Sequence, residues 1–295
     1  VTRYILREKE RPQGLSLYKE IIMRFYEDIQ KTSENRCEAR SWYIPGGVSR
    51  QLMLSGQWQL AYFERDIDVP DRIDTWDTIP VPSCWQLHGY ENPNYTNTNS
   101  PYPCDPPYVP DDNPCGVYER SFEIKELWGK CYFVFEGVSS CAQLYINGKY
   151  VGFTQGSHLQ AEFDITPYVK EGENTVRAVV YKWCVGSYLE DQDFFRFNGI
   201  FRDCYILQRP EGHLNDVQII PNSRSFDIRI DGEAEVSVWD RDKLLHKGTI
   251  CDCLEFTPEN PILWNAEKPY LYRVVLERNG ETTELKTGLR KISLA

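Results

Sequence analysis

The sequence of 295 residues lacks several features that mark common functional classes. No apolar run approaches the roughly 18–20 residues that span a bilayer, and the first residues are charged rather than typical of a secretion signal. No long run of Lys and Arg occurs, and the formal charge is −11. Nucleic acids and anionic membranes reward clustered basic residues, so we expect neither as a partner. No phosphate-cradling glycine loop and no dinucleotide-binding fingerprint occurs either.

The ten cysteines form no Cys-x-x-Cys pair and do not group with the four histidines, which excludes metal-finger spacing. Several lie inside apolar alternations, as Cys131 and Cys204 do, where a reduced cysteine behaves as a small buried hydrophobe. Disulfide-dense chains are usually much shorter, so we expect free thiols in a reducing compartment, the cytoplasm. The Cys251-Asp252-Cys253 run is predicted to be a buried strand pair rather than a metal site.

No catalytic residue is predicted from the histidines. His88 and His158 have no Ser, Asp or Cys partner at a recognised triad spacing. Both are expected to be structural.

The pattern of apolar residues predicts one helix followed by many strands. The helix is predicted at residues 15–31, where apolar residues recur at helical spacing: Leu17, Ile21, Ile22, Phe25 and Ile29. From about residue 50 the pattern changes to short alternating runs: 57–63, 117–124, 131–137, 142–148, 149–154, 175–182 and 201–207. Many short strands at near-regular spacing indicate a sandwich or barrel. Asn147-Gly148 between two runs predicts a two-residue hairpin.

A second set of strands follows residue 212 and suits a small immunoglobulin-like sandwich of about 80 residues. Its predicted strands are 217–220, 225–230, 234–240 and 270–277, with an Asn279-Gly280 turn after the last. The length of the chain also favours about two domains.

Residues 92–116 are dense in Pro and Asn and predict a long ordered loop, which inside a compact domain is usually functional or disordered. Aromatic residues gather around it, and such rings offer the flat faces against which sugars stack, although most aromatics in a sandwich belong to the core. Asn97 in this loop offers an amide that can read sugar hydroxyls, or it is simply a turn residue.

Three carboxylates, Glu190, Asp191 and Asp193, stand beside aromatic residues in the stretch 187–203. In an extended segment Asp191 and Asp193 would lie roughly 6.5–7 Å apart on one face, which overlaps the carboxyl separation of inverting glycosidases. They could equally be surface acids paired with Arg196 and Arg202. A third interpretation is a site for a hard cation, which carboxylate and carbonyl oxygens hold.

Five motifs in order resemble the N-terminal part of bacterial β-galactosidases, in the glycoside hydrolase family 2 group that includes β-glucuronidases and β-mannosidases. They are IPVPSCWQLHGYENPNYTN (79–97), PPYVPDDNPCGVYERSF (106–122), INGKYVGFTQGSHLQAEFDIT (146–166), GSYLEDQDFFRFNGIFRD (186–203) and PILWNAEKPYLY (261–272). The resemblance covers roughly residues 40–290, and the Tyr-Leu-Glu-Asp-Gln-Asp run points to the β-galactosidase branch rather than to a β-glucuronidase or β-mannosidase.

This resemblance implies an all-β fold: an N-terminal extension with a short helix (1–39), a jelly-roll, galactose-binding-like β-sandwich (40–210) and an immunoglobulin-like β-sandwich (211–295). In the family a TIM barrel with two catalytic glutamates follows. The Asn-Glu dipeptide of the family's acid/base motif does not occur here. The retaining mechanism needs two carboxylates about 5–5.5 Å apart. We therefore expect a non-catalytic fragment that is inactive alone.

The resemblance also implies the site residues. Asp193 matches the acid that binds a sodium ion and the galactose 6-hydroxyl, and Asn97 matches an asparagine that touches galactose. Magnesium is expected only in the barrel. The implied partners are a β-galactoside, the chain's own C-terminal barrel and, for the full-length protein, further copies in a homo-oligomer. Two other interpretations stay open: a stand-alone carbohydrate-binding module, and a domain that serves chiefly in assembly.

Overall fold

The computed structural model describes residues 24–95, 100–190 and 192–292. Within these ranges the secondary structure is almost entirely β, as predicted. The strands are β1 Ser33–Glu34, β2 Gly46–Gly47, β3 Arg50–Met53, β4 Gly56–Phe63, β5 Asp77–Val81, β6 Asn94–Tyr95, β7 Cys115–Ile124, β8 Lys130–Phe135, β9 Cys141–Ile146, β10 Lys149–Gln155, β11 Ala161–Asp164, β12 Gly172–Tyr181, β13 Phe195–Arg196, β14 Cys204–Arg209, β15 Val217–Pro221, β16 Phe226–Asp240, β17 Lys243–Phe256, β18 Tyr272–Arg278 and β19 Glu281–Thr287. The 3₁₀ helices are Phe25–Glu27, Asp66–Asp68, Trp85–His88 and Val185–Tyr188.

The chain divides into two compact units. In the described residues the first unit comprises 24–37, 53–127 and 132–206, and the second comprises 38–52, 128–131 and 207–292. Three of the five boundaries between the units fall inside β3, β8 and β14, and the other two lie at residues 37/38 and 127/128.

The first unit is a jelly-roll sandwich of two antiparallel sheets. The larger sheet has the order β1-β10-β9-β12-β7-β4-β5, and the smaller has the order β11-β8-β14-β3. Gly152 of the larger sheet marks where the layers meet, because a Cβ there would lie 3.1 Å from the Phe163 ring of the smaller sheet. A third, two-stranded ladder joins β6 to β13 outside both sheets.

Both faces of the larger sheet are buried. Cross-strand partners share a face, and the row that faces the smaller sheet is fully apolar: Leu60, Tyr118, Ala178 and Leu144. The next row along the strands lies on the outer face and consists of Ala61, Val117, Val179 and Gln143. This outer row packs beneath Phe25 and Trp183 in a second apolar cluster. The strands of this sheet therefore contain near-continuous apolar runs rather than a strict alternation of apolar and polar residues.

Residues 24–37 form part of this outer layer. Phe25 packs against Phe153 and Tyr181 at ring-centroid distances of 4.9 and 5.3 Å. The Glu27 carboxylate accepts a hydrogen bond from the Val109 N–H at 3.2 Å. β1 then adds an edge strand to β10. These contacts show where residues 24–37 of the predicted extension pack, which the sequence did not indicate.

The predicted helix at 15–31 needs correction where it can be checked, since residues 1–23 lie outside the described part. From residue 24 onward the chain forms a single 3₁₀ turn, Phe25–Glu27, and then turns, not an α-helix. The helical spacing counted Ile29 as a core residue, yet its side chain is exposed. Phe25, Tyr26 and Glu27 are buried in direct succession, whereas the apolar stripe of an amphipathic helix follows the spacing i, i+3, i+4.

The second unit is an immunoglobulin-like antiparallel sandwich with its own core. Its strands follow the order β15-β16-β18-β19-β2, and β17 pairs with β16. The cluster of buried residues includes Phe226, Val238, Tyr272 and Val274. A 15-residue strand, β16, replaces the two strands predicted at 225–230 and 234–240, because the chain passes Gly232 through a bulge at φ +78° without leaving the ladder.

The two Asn-Gly hairpins are confirmed. Asn147 and Gly148 have φ angles of 51° and 75°, and Asn279 and Gly280 have 52° and 78°. Positive φ at both central residues is the geometry of a type I′ turn, which follows the twist of the flanking strands. Among the described residues, no helix has the length and apolar character that crossing a membrane requires.

Candidate functional site

The β6–β13 ladder brings together two segments that the sequence singled out separately. Tyr95 pairs with Phe195 and Asn94 pairs with Arg196, so the loop after β5 meets the stretch that contains the acids. The Tyr95 and Phe195 rings pack at 5.5 Å between centroids. The Tyr95 hydroxyl donates a hydrogen bond to Asp193 Oδ1.

Asp193 is exposed, and its Oδ2 has no hydrogen-bond partner among the residues that the structure describes. One oxygen is thus oriented by Tyr95 while the other faces solvent. Such a carboxylate can accept a hydroxyl hydrogen bond or ligate a hard cation. Asn97 and Asp191 fall outside the described residues, so the geometry of the predicted Asp191–Asp193 and Asn97–Asp193 pairs stays untested.

Glu190 anchors the acidic stretch by hydrogen bonds rather than by an ion pair. Its Oε1 accepts from the Ser157 N–H at 2.7 Å, and its Oε2 accepts from the Ser157 hydroxyl at 2.6 Å. Both donors come from the loop between β10 and β11. Of the three clustered acids, this one serves to hold the loop.

The two arginines of the stretch make no ion pair with a carboxylate within the described ranges. Arg196 is 4% exposed, and its guanidinium donates to the Glu190 carbonyl at 2.5 Å and the Ser187 carbonyl at 3.3 Å while it lies 5.3 Å from the Trp183 ring. Arg202 donates to the His158 carbonyl at 3.1 Å. The interpretation of Asp193 as a surface acid paired with these arginines is therefore wrong. The guanidiniums tie backbone segments together instead.

A buried amine fixes the other side of the ladder. Lys182 is 4% exposed, and its ammonium group donates to Glu91 and, at 2.6 Å, to Asn94 Oδ1. Glu91 Oε2 also accepts from the indole of Trp85 at 3.2 Å. Burial lowers the pKa of Lys182, and the hydrogen bond that Lys182 donates to Glu91 acts in the opposite direction. This cluster holds Asn94, which precedes Tyr95, in a fixed position.

Asn198 connects the ladder to the body of the first unit. It is fully buried, and its side-chain carbonyl accepts from Gln86 Nε2 at 3.0 Å while its amide donates to the Lys182 carbonyl at 3.3 Å. Its backbone N–H donates to Gln86 Oε1 at 2.9 Å. One side chain thus joins the 3₁₀ helix Trp85–His88, the end of β12 and the segment after β13. The next residue, Gly199, has a positive φ angle, and a Cβ at this position would lie only 2.7 Å from the Ser83 carbonyl oxygen. Glycine is therefore required here.

A cavity of about 210 Å³ lies beneath the acidic stretch. Its lining is mainly aromatic, and the full set is Cys84, Ser139, Ser157, His158, Glu190, Phe194, Phe195, Arg196, Phe197 and Phe201. Burial raises the pKa of Cys84 to about 11, so its sulfur remains a thiol at neutral pH. The phenylalanines of the stretch 187–203 therefore form a framework under the loop that carries Asp193.

The histidines are consistent with the structural roles predicted for them, with one addition. The His158 ring meets the edges of Phe201 and Phe194 at 5.3 and 6.2 Å. His88 Nε2 lies 2.6 Å from the Ser83 hydroxyl, a pairing that sequence spacing did not indicate. No carboxylate among the described residues contacts this exposed pair to complete a triad.

An aromatic rim, defined as Tyr95, Phe194 and Phe195, surrounds Asp193 on the surface of the first unit. These side chains are 42%, 39% and 51% exposed, and Leu189 beside them is 86% exposed. Exposed apolar groups that cluster around a polar residue mark a surface that contacts something other than water.

The described residues contain no group of three or more His, Cys, Asp or Glu side chains that could hold a metal ion. The prediction that the Cys251-Asp252-Cys253 run is buried is wrong, since both cysteines are exposed on β17.

Family models match nearly the whole of the chain. The model for glycosyl hydrolases family 2, sugar binding domain, matches residues 52–210, and the model for glycosyl hydrolases family 2 matches residues 213–290. The β-galactosidase of Actinobacillus pleuropneumoniae is 36% identical in an alignment of 301 positions that covers 93% of this chain and 30% of that protein. A Yersinia pestis β-galactosidase is also 36% identical, over 95% of this chain and 32% of its own length.

The chain thus spans about a third of the length of the curated relatives it matches. Among solved structures, a β-glucuronidase from an uncultured Clostridium species has a TM-score of 0.65 at 19% identity, covering 87% of this chain and 47% of that one. The Bifidobacterium dentium β-glucuronidase has a TM-score of 0.66 at 18% identity, over 86% of this chain and 50% of its own. These structures share the fold. The sugar-binding model alone matches more than half of the residues, and the chain belongs to the glycosyl hydrolases family 2.

Proposed function

We propose that this chain is the sugar-binding and immunoglobulin-like part of a retaining β-galactosidase that hydrolyses terminal β-galactosides. Its relatives at 36% identity carry the name β-galactosidase and are about three times as long. The two carboxylates that a retaining mechanism needs would lie in a catalytic barrel encoded beyond these residues. The 295-residue chain alone would then show no hydrolytic activity.

In this proposal Asp193 reaches into the active site of the barrel. The observation that carries it is the orientation of Asp193 by Tyr95, with one oxygen held and the other facing solvent. A rigid ladder and a buried Arg196 beneath it keep the carboxylate in place without neutralising it. The free oxygen would accept the hydrogen bond of the galactose 6-hydroxyl, and Asn97 would contact the same sugar.

Asp193 would also supply one ligand to a sodium ion. A carboxylate oxygen suits a hard cation, and Asp193 is not consumed by an ion pair within the described ranges. The ion would bring positive charge beside the 6-hydroxyl and fix that substituent. The remaining ligands, and any magnesium site, would belong to the barrel.

The aromatic rim would be the surface that the barrel covers. Tyr95, Phe194 and Phe195 surround the acid that must enter the active site, and burying them would remove apolar area from water at about 25 cal/mol per Å². We further propose that the full-length protein forms a homo-oligomer. Ten free cysteines support a reducing compartment such as the cytoplasm for it.

The test is to express the chain together with its downstream coding sequence and to compare nitrophenyl β-galactoside with nitrophenyl β-glucuronide as substrates. Hydrolysis of the galactoside by the long protein and none by the 295-residue chain supports the proposal. A preference for the glucuronide would instead make the parent a β-glucuronidase. A reading frame without a barrel, together with glycan binding by the short chain, would favour a stand-alone carbohydrate-binding module.

A matched pair of variants tests the site itself. Asp193→Ala in the long protein should raise KM for the galactoside by at least tenfold, since a lost charge-assisted hydrogen bond is worth about 1.5–3 kcal/mol. Asp74→Ala removes a carboxylate that is exposed and paired only with exposed Arg72. It should leave KM unchanged, and equal effects of the two substitutions would contradict the assignment.

A further inference from the structure

Two exposed cysteines of the second unit, Cys251 and Cys253, stand one residue apart on β17. This strand pairs with β16, and no other strand pairs with it in the part of the chain that the structure describes. Seven of the remaining eight cysteines are at least partly buried, and the other, Cys104, is exposed without a neighbouring cysteine in the sequence. The pair is therefore the place where two accessible thiols are held close by the backbone.

The backbone between them has an unusual conformation. Asp252 has a φ of 61°, in the left-handed region, at the point where the β16–β17 register shifts between Arg229/Cys253 and Glu233/Cys251. Asp252 Oδ1 accepts a hydrogen bond from the Gly232 N–H at 2.9 Å, across the bulge. Aspartate tolerates this region better than most residues, and the hydrogen bond holds it there.

This conformation shortens the distance between the flanking Cα atoms. In a regular strand, residues i and i+2 are about 6.6–6.8 Å apart, the upper limit for a disulfide. A left-handed residue mirrors the helical geometry, which places i and i+2 about 5.5 Å apart. Disulfides are most frequent at Cα separations of about 5.5–6 Å. The turn at Asp252 thus brings the two cysteines into the range that a disulfide requires.

We propose that Cys251 and Cys253 form a redox site that closes reversibly to an intramolecular disulfide when it meets a small-molecule disulfide. The thiolate of one cysteine attacks a sulfur of the small disulfide, forms a mixed disulfide and releases one thiolate. The second cysteine then attacks the protein sulfur of the mixed disulfide and releases the other. Two protein thiols are oxidised, one small disulfide is reduced to two thiols, and two protons are lost from the protein.

The experiment equilibrates the 295-residue chain with glutathione disulfide, quenches with acid, blocks free thiols and maps the peptides by mass spectrometry. The peptide that contains both cysteines should lose two hydrogen atoms and carry no glutathione. The peptide that contains Cys104 should carry glutathione, because no second thiol is adjacent to resolve it. Cys253→Ser should make Cys251 accumulate glutathione as Cys104 does.

Two substitutions of Asp252 test whether its left-handed backbone conformation promotes disulfide formation, beyond the closeness of the two cysteines in sequence. Asp252→Gly keeps the left-handed conformation accessible and should preserve ring closure. Asp252→Val disfavours the left-handed conformation and should slow conversion of the mixed disulfide to the intramolecular disulfide roughly tenfold. This factor corresponds to the free-energy cost of the left-handed conformation for an ordinary L-residue. The proposal is overturned if glutathione accumulates on both cysteines of the unmodified chain, if only disulfides between two chains form, or if the valine and glycine variants close equally fast.

Discussion

The two units of this chain use buried polar groups in different ways. In the first unit the buried Lys182, Arg196 and Asn198 all bond to loop segments around the β6–β13 ladder. In the second unit the fully buried Arg209 and Glu281 bond bidentately to each other. The first arrangement gives an irregular region one conformation, and the second secures strands that already have a regular ladder. A functional site needs buried polar groups that bond to loops, because its acid must be held where no strand ladder continues.

The ion pair of the second unit should give the largest stability effect. Glu281→Gln leaves the Arg209 guanidinium buried without a counter-charge and should destabilise the second unit by about 3–5 kcal/mol. Hydrogen exchange measured peptide by peptide reports the two units separately, and protection should fall in the second unit. The double variant Arg209→Met/Glu281→Leu should recover most of the loss. A Glu281→Gln chain with unchanged protection would show that this pair does not hold the strands.

In the first unit Asn198 should matter most. Asn198→Ala leaves the Gln86 amide and the Lys182 carbonyl without their buried partner, which should cost about 2–3 kcal/mol. In the long protein the same change should raise KM for the galactoside, because the segment after β13 loses its anchor. Exchange protection should fall around residues 83–95 and 192–200. If only the second unit loses protection, the role given to Asn198 is wrong.

The stability of the second unit should also depend on pH through His213. Burial, and then the nearby Arg209 charge, lower the pKa of His213 below 6.5. Above the unfolded-state pKa both states are neutral, so stability is at its maximum; as pH falls below about 6.5 the unfolded state takes up the proton first. Unfolding free energy from urea titrations should therefore decrease between pH 7.5 and the folded pKa, by up to about 1.4 kcal/mol per pH unit. His213→Gln should make the unfolding free energy less dependent on pH. An unchanged slope would mean that other groups cause the pH dependence.

The smallest effect should come from a surface ion pair of the first unit. Arg72 and Asp74 lie 2.9 Å apart, but their side chains are 89% and 76% exposed. Water screens such a pair, so Arg72→Ala should leave exchange protection unchanged in both units. A clear loss would mean that exposed pairs contribute to the difference between the units.

Alternation and turn chemistry predicted much of the regular structure. The runs at 57–63, 117–124 and 217–220 are strands, and both Asn-Gly turns form, because local side-chain periodicity and positive φ determine them. The short β5 and β11 were not predicted, and β5 contains Pro80, a residue that argues against a strand. The buried state predicted for Cys251 and Cys253 was wrong because both lie on the exposed side of β17, while Ile250 and Leu254 of the same strand pack against the core.

The site was harder to predict than the strands. The resemblance singled out Asp193, but its contact with Tyr95 joins residues 98 positions apart. Asn198 and Gln86 are separated by 112 positions, and Arg196 bonds to carbonyl groups that have no sequence signature. Such irregular networks follow from the tertiary fold, so local propensity gives no indication of them.

In the proposed function, Asp193 provides a sodium-binding and sugar-binding oxygen to a catalytic barrel. The most direct measurement is KM for nitrophenyl β-galactoside as sodium is titrated into the long protein, for the unmodified sequence and for Asp193→Asn. Sodium should lower KM of the unmodified protein and have little effect on the variant, whose amide cannot supply the negative ligand. Equal sodium dependence in both proteins would contradict it.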